Sequence, residues 1–256
     1  MTDDDRVQCV RCGNFRACKC FEPIRACLSH RRNPLEVGRE RIRTRPWPED
    51  EANDGVGAKT DRHGWLTMGV RRDTRLYRSR PRDGSLVGFS ATRHGGPAGG
   101  NVDFTRLQLD LLQVLPTGGA TTLTLAQRAQ WSRGEVPPYL RLGLGGIDHL
   151  RGSPTGKFRG DSRWFAWVEE RFALFPPWSF ELPLTGELVD LTVDGALFVD
   201  GGTVWSGDAL RRGRARGRWG AGAGLRITAP FIRLLSVDLA TDGRRARLVA
   251  GAGARM

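Results

Sequence analysis

The sequence predicts an all-β fold of antiparallel strands preceded by a disordered amino-terminal segment. Three observations carry that expectation. From Trp65 onward apolar and polar residues alternate, the spacing that sends successive side chains to opposite faces of a strand. Gly, Pro and Asp clusters break the alternation into strand-sized pieces. No run of about 18 apolar residues occurs, which excludes a membrane-spanning helix but leaves open spanning strands of about 9–11 residues with every second one apolar. A mean hydropathy of -0.40 is compatible with such strands.

Residues 1–62 read as one low-order, Cys- and Arg-rich leader or linker. All five cysteines fall there, at Cys9, Cys12, Cys18, Cys20 and Cys27, with His30 close behind. Cys9 and Cys12 have a chelating spacing that Cys18, Cys20, Cys27 or His30 could complete into a tetrahedral zinc site. No matching second knuckle follows, so no metal ligand is assigned. The odd cysteine count argues against a closed disulfide framework. Beyond them, Arg45-Pro46-Trp47-Pro48 and the glycine-punctuated stretch from Gly55 to Arg62 show neither a helical nor an alternating pattern. The terminus Met1-Thr2-Asp3-Asp4-Asp5-Arg6 is acidic with no apolar core behind it, so no signal peptide is visible.

Residues 63–256 form the β region. About nine strands are read there from alternation and turn signals. They run Trp65–Arg72, Ser85–His94, Asp103–Leu115, Thr121–Trp131, Arg163–Leu174, Leu188–Trp205, Trp219–Thr228, Ile232–Ala240 and Arg245–Met256. The third is the clearest, with Leu107, Leu109 and Leu111 on one face and Arg106, Gln108 and Asp110 on the other. Across the strands, the polar face gathers Arg106, Gln108, Asp110, Arg128, Glu169, Arg171, Asp200, Arg226 and Asp238. Leu197, Val199, Leu225, Ile227, Val237 and Leu239 take the opposite face. A soluble sheet would solvate the polar face, whereas a membrane barrel would turn it to the lumen and give the aliphatic face to lipid. Trp65, Trp131, Trp178, Trp205 and Trp219 near strand ends suit interfacial girdles, and serve equally as core anchors.

The formal charge of +12 on 256 residues comes almost wholly from arginine, since the lysines are only Lys19, Lys59 and Lys157. Such an excess is one signature of nucleic-acid binding. Here the arginines recur at strand ends and turns, not in one stripe, apart from the run from Arg211 to Arg218, so no nucleic-acid partner is expected. Enzymatic chemistry finds no support either. His30, His63, His94 and His149 are scattered, with no nucleophile elbow, phosphate loop or histidine–carboxylate metal motif beside them. His149 reads as a solvated turn residue. Gly143-x-Gly145-Gly146 has no helix after it and so is not a phosphate loop.

The most informative stretch is Leu150-Arg151-Gly152-Ser153-Pro154 in the long turn before Arg163. A lone arginine beside a glycine in such a turn calls for an acidic partner. Glu169 lies in the next strand, and the segment after it puts Phe198, Asp200 and Gly202 on one face. A guanidinium in a confined space gains from a bidentate carboxylate, and lysine cannot reproduce the fork. Gly152 would allow a tight tip, and Gly202 a close approach to it.

An ordered series of motifs resembles the carboxy-terminal barrel of the bacterial surface antigen family, the BamA/TamA-type outer-membrane assembly and translocation proteins. Asp73-Thr74-Arg75 with Pro81 and Gly84 resembles the family's strand-end and turn signature. Leu144-Gly145-Gly146 leading to Leu150-Arg151-Gly152 resembles the long loop that folds back into the lumen. Glu169-x-Arg171, then Phe198-Val199-Asp200-x-Gly202, then Gly222-x-Gly224-Leu225-Arg226 continue the order. The resemblance implies an antiparallel transmembrane β-barrel, here incomplete, with about nine strands of a larger, even-stranded wall. It implies that Arg151 pairs with Asp200 or Glu169 and that Phe198 packs against the loop backbone. The sequence departs from the family at Ser153, where the family carries an aromatic residue, and at its carboxy terminus, which lacks a final aromatic.

The function implied is insertion of outer-membrane proteins, or movement of polypeptide or lipid across the outer membrane, by a truncated member without catalysis or cofactor. Outer-membrane lipid is the expected partner, with unfolded outer-membrane proteins or barrel-assembly subunits as further ones. The alternative is a cytosolic, Arg-rich β protein that binds zinc and nucleic acid.

Overall fold

Alternation in the sequence becomes one hydrogen-bonded path of strands. The computed structural model describes residues 35–43, 60–75, 80–181, 188–209, 212–213, 215–229 and 234–252. Its strands are β1 (Leu35–Arg43), β2 (Thr60–Asp73), β3 (Gly84–His94), β4 (Phe104–Gly118), β5 (Thr121–Gly134), β6 (Leu142–Leu144) and β7 (Phe158–Gly160). They continue with β8 (Ser162–Ala173), β9 (Trp178–Glu181), β10 (Leu188–Trp205), β11 (Arg218–Thr228), β12 (Leu235–Thr241) and β13 (Ala246–Ala252). The path runs β1-β2-β3-β4-β5-β8-β10-β11-β12-β13, with β9 added beside β10, while β6 and β7 pair as a separate ribbon. Pairing is antiparallel at β1–β2, β5–β8, β8–β10, β10–β11, β11–β12 and β12–β13. Helix among the described residues is confined to single 3-10 turns at Gly96–Ala98, Pro138–Leu140 and Gly207–Ala209.

All the strands expected from the alternation are present, with ends shifted by a few residues. Strand β1 is an addition within the segment read as a low-order leader, and the 62/63 boundary falls inside β2. Its sequence, LEVGRERIR, carries charges at both parities and so shows no apolar face. Backbone pairing with β2, from Leu35 opposite Met68 to Arg43 opposite Thr60, is what defines it. Strand β9 is a second addition, hidden in sequence by Pro176 and Pro177. The cysteines and His30 lie outside the described residues.

Strand parity sorts side chains into an apolar outward face and a polar inner one. Val87, Phe89, Leu107, Leu109, Leu125, Val168, Leu197, Val199, Leu225, Leu239 and Leu248 are all exposed. On the other parity, Glu169, Asp194, Asp200, Arg226 and Asp238 are buried. This inverts the usual rule for a water-soluble protein, in which so much exposed aliphatic surface would be an aggregation hazard. Trp131, Trp164, Trp178 and Trp219 stand exposed near strand ends. Trp205 does not join them: it is buried, with Trp131 edge-on at 5.9 Å. Trp65 is half-buried and stacked on His63.

Two compact units divide the chain. The first falls in Met1–Arg71, Phe89–Leu107 and Ser132–Tyr139. Its buried centre is a stack in which His94 lies 4.0 Å from Phe104 and 4.9 Å from His63, with a 2.7 Å contact between the two imidazoles. The second unit covers Arg72–Gly88, Gln108–Trp131 and Leu140–Met256. Its core joins Leu86, Leu112, Val114, Ala126, Phe165 and Trp167 from the strands to Leu144 and Leu150, which the β5–β8 connection supplies. The connection therefore fills the inner face against which its own strands pack.

Strand β11 makes room for that filling. Its inward positions are Gly220, Gly222 and Gly224, followed by Arg226. A Cβ on Gly222 would stand 2.2 Å from the Leu239 carbonyl oxygen and 2.6 Å from the Phe198 ring. We expect Gly222→Val to destabilise the fold by about 1–3 kcal/mol or more through overpacking. Urea titration of the folded chain in detergent micelles checks this, and an unchanged midpoint would refute the packing account.

Candidate functional site

The site begins with the hairpin that launches the loop. Leu142 pairs with Gly160 and Leu144 with Phe158, closing a short ribbon from which residues 145–157 project. Two anchors hold this projection on the inner face. At the root, the Arg163 guanidinium donates to the Gly143 carbonyl and meets His149 Nε2 at 2.7 Å, while its Nε donates to Gln130 Oε1 at 3.0 Å. Gln130 continues to Gln108 at 2.8 Å and Gln108 to Asp110 at 2.8 Å, where Arg128 also pairs. His149 is therefore not a solvated turn residue. Its ring packs edge-on to Phe165 at 4.8 Å, because the loop folds inward.

At the tip, Arg151 is completely buried. Its Nε and Nη2 donate to the two Asp200 carboxylate oxygens at 2.8 and 2.6 Å, and its backbone N–H donates to Asp200 Oδ2 at 3.1 Å. Nη1 donates to Glu169 Oε2 at 2.8 Å and reaches Asp238 Oδ2 at 3.5 Å. The guanidinium carbon sits 3.2 Å from the centroid of the Phe198 ring. The structure thus brings Arg151 to both carboxylates named as alternatives, and places Phe198 beneath the guanidinium.

Arg226 completes the arrangement from β11. Its Nε and Nη2 donate to Glu169 at 3.1 and 2.7 Å, and its Nη1 to Asp238 Oδ1 at 2.5 Å. Arg171 donates to Glu169 Oε1 at 2.7 Å. Three carboxylates, Glu169, Asp200 and Asp238, face three guanidiniums, Arg151, Arg171 and Arg226. The formal charges cancel, which is the condition under which burial of so many ions is tolerable.

The glycines have separate tasks. A Cβ on Gly152 would lie 2.4 Å from the Thr241 carbonyl oxygen, so glycine lets the tip lie against the end of β12. Gly202 serves the loop root. Its missing side chain accommodates Trp164 and Phe165 of β8 and Leu144 at the loop root. Gly224 clears space for Asp238 Oδ1, which a Cβ would meet at 1.9 Å. Ser153 is buried, and its backbone bonds Leu150 and Gly146, so the tip is closed by main-chain hydrogen bonds at the position where the resembled family carries an aromatic residue. Asp238 and Arg226 share the polar parity in the sequence, but nothing in their spacing assigns them to Arg151. Among the described residues no group of three or more His, Cys, Asp or Glu side chains is arranged to hold a metal ion.

An antiparallel sheet with aliphatic side chains outward, charges inward and a loop clamped to its inner face defines the wall of a transmembrane β-barrel. The family model of the Omp85 superfamily domain matches residues 29–248, and the chain belongs to that superfamily. The surface-antigen resemblance carried by the Arg151, Glu169 and Asp200 motifs falls within it, and the chain is an outer-membrane barrel protein. Among 34 matching chains of solved structures is CdiB from Escherichia coli, with a TM-score of 0.54 and 19% identity. That match covers 75% of this chain but 35% of CdiB, so the likeness is one of fold over about a third of the larger protein. No curated protein matches the sequence.

Two outcomes follow from the site and its setting. Arg151→Ala should cost about 3–5 kcal/mol, because it strands buried carboxylates, and Arg151→Lys should recover only part of the loss, lacking the fork. Urea unfolding in lipid vesicles reads both; equal stability of Arg151→Lys and wild type would sink the bidentate argument. In the same vesicles, Leu197→Arg should cost about 2–4 kcal/mol if the outward face meets hydrocarbon. A negligible cost would show that position 197 faces water.

Proposed function

We propose that this chain supplies the carboxy-terminal wall and inward-docked loop of an outer-membrane barrel that inserts outer-membrane proteins or moves polypeptide across that membrane. The observation that carries this reading is the Arg151 clamp: a loop of the barrel wall held inside by a charge-balanced ion cluster in which all but Arg171 are buried. A loop fixed in this way shapes the inner surface that a passing chain would meet.

The action is non-enzymatic on this reading and needs no cofactor. The charged groups at the clamp satisfy one another, leaving neither a free base nor a polarised nucleophile among Arg151, Glu169, Asp200 and Asp238. The outward aliphatic face accounts for lipid as a partner. It also weighs against the cytosolic, nucleic-acid-binding alternative, which would expose that face to water.

The test is genetic and biochemical together. In the source bacterium the chain should fractionate with outer membranes and migrate on gels in a heat-modifiable way. Deleting it, or replacing Arg151 by Ala, should lower at least one outer-membrane or surface polypeptide several-fold in quantitative proteomics. A soluble chain, or a surface proteome indifferent to its loss, would overturn the proposal.

A further inference from the structure

Charge that cancels at the Arg151 clamp does not cancel beside it. A cavity of about 370 Å3 is lined by Pro154, Lys157, Asp242, Arg244, Arg245 and Arg247, four cations against one carboxylate. That carboxylate is already engaged. Its Oδ1 accepts the backbone N–H groups of Arg244 and Arg245, each at 3.1 Å, which hold the group below its usual range, and Lys157 Nζ stands 3.6 Å from its Oδ2. No carboxylate among the described residues pairs with the Arg244, Arg245 or Arg247 guanidinium. Nearby, Arg218 and Lys157 stand over the Phe158 ring at 4.7 and 5.2 Å, adding another cation at the same end of the loop.

The direction of these cations separates two kinds of anion. Arg247 is opposite Ala240 in the β12–β13 register, and Ala240 is buried on the inner face with Asp238. Lipid headgroups meet the other face, where Trp219, Leu239 and Leu248 are exposed. A chain passing along the inner wall would meet Arg247 there, with Arg244 and Arg245 in the adjoining turn. Guanidiniums suit carboxylates because the planar fork accepts a bidentate partner.

We propose that this cavity binds acidic segments of polypeptide through Lys157, Arg244, Arg245 and Arg247. The inference rests on the polypeptide-handling reading above and names the class of segment it takes. Neighbouring arginines repel one another when the cavity is empty, and a carboxylate relieves that repulsion as it pairs.

The test uses the full chain folded in neutral dodecylmaltoside micelles, with fluorescein-labelled hexaglutamate and hexaglutamine as probes and anisotropy as the readout. Hexaglutamate should bind about tenfold tighter or more, with affinity falling as salt rises. The triple variant Arg244→Gln, Arg245→Gln, Arg247→Gln should lose about tenfold. Arg72→Gln, Arg82→Gln, Arg133→Gln removes the same charge outside the cavity and should stay within about twofold. Heat-modifiable migration checks folding, and if the cavity triple fails to fold, Lys157→Glu replaces it with a similar expected loss.

Equal losses in the two triples would assign binding to bulk charge and overturn the proposal, as would hexaglutamate binding no better than hexaglutamine. Retention of phosphatidylglycerol from mixed micelles through the same arginines, without hexaglutamate binding, would assign the cavity to lipid and likewise overturn it. A chain that alters the surface proteome yet ignores hexaglutamate refutes this inference alone. One that binds hexaglutamate while the surface proteome is indifferent to its loss refutes the polypeptide-handling reading alone.

Discussion

Withdrawing five charged groups from water at one place on an inner face, with Arg171 at its edge, is the constraint that the rest of this structure answers. Each ion alone would cost several kcal/mol to bury, so the group is tolerable only as a closed set. The geometry closes it with little redundancy. Glu169 is shared by three arginines, Asp200 takes both prongs of the Arg151 fork, and Asp238 lies between Arg151 and Arg226. Four strands and one loop contribute members, so none of these elements can shift far without opening the set.

The surrounding chemistry follows from that requirement. Aromatic packing by Phe198 shields one face of the Arg151 guanidinium, which keeps water from competing for its donors. The polar ladder through Arg163, Gln130 and Gln108 fixes the root of the same loop, so the tip arrives at the carboxylates from a defined direction. Apolar burial plays a smaller part than in a water-soluble domain of this length. Among the described residues many large aliphatic side chains stand exposed on the outward face, and the second unit's inner core is completed by two leucines of the loop.

Much of this was legible in the sequence because period-two alternation is strong wherever one face is apolar. Leu107 and Leu109 against Gln108 and Asp110 announce β4 without ambiguity, and Leu197 and Val199 against Phe198 and Asp200 announce β10. The same logic hides β1, in which Glu36, Arg39, Glu40 and Arg41 leave no apolar parity in the sequence. At the site, Arg151, Asp200 and Glu169 could be named because each sits in a motif of recognisable order. Asp238 could not be assigned to them, since its contact with Arg151 spans 87 residues of chain and depends on the register of β11 with β12. Gly202 illustrates a different limit. Its smallness was readable, but which neighbours required it was set by the register with β8, which lays the Trp164 carbonyl oxygen and Phe165 against it.

The glycine row on β11 has a kinetic consequence. A strand that presents Gly220, Gly222 and Gly224 inward gains little from joining the sheet until something covers its backbone, and glycine surrenders more chain freedom on ordering than any other residue. Its cover is the Phe198 ring, the loop tip and Asp238, which come from three separate stretches of sequence. Until Arg151 seats, Asp200 lacks its guanidinium partner and β11 lacks its cover, so these events are bound to one another. Closure of the β11–β12 hairpin and arrival of the loop should therefore form a single late, cooperative step of assembly, with the carboxy-terminal strands waiting on a turn made more than 60 residues before them.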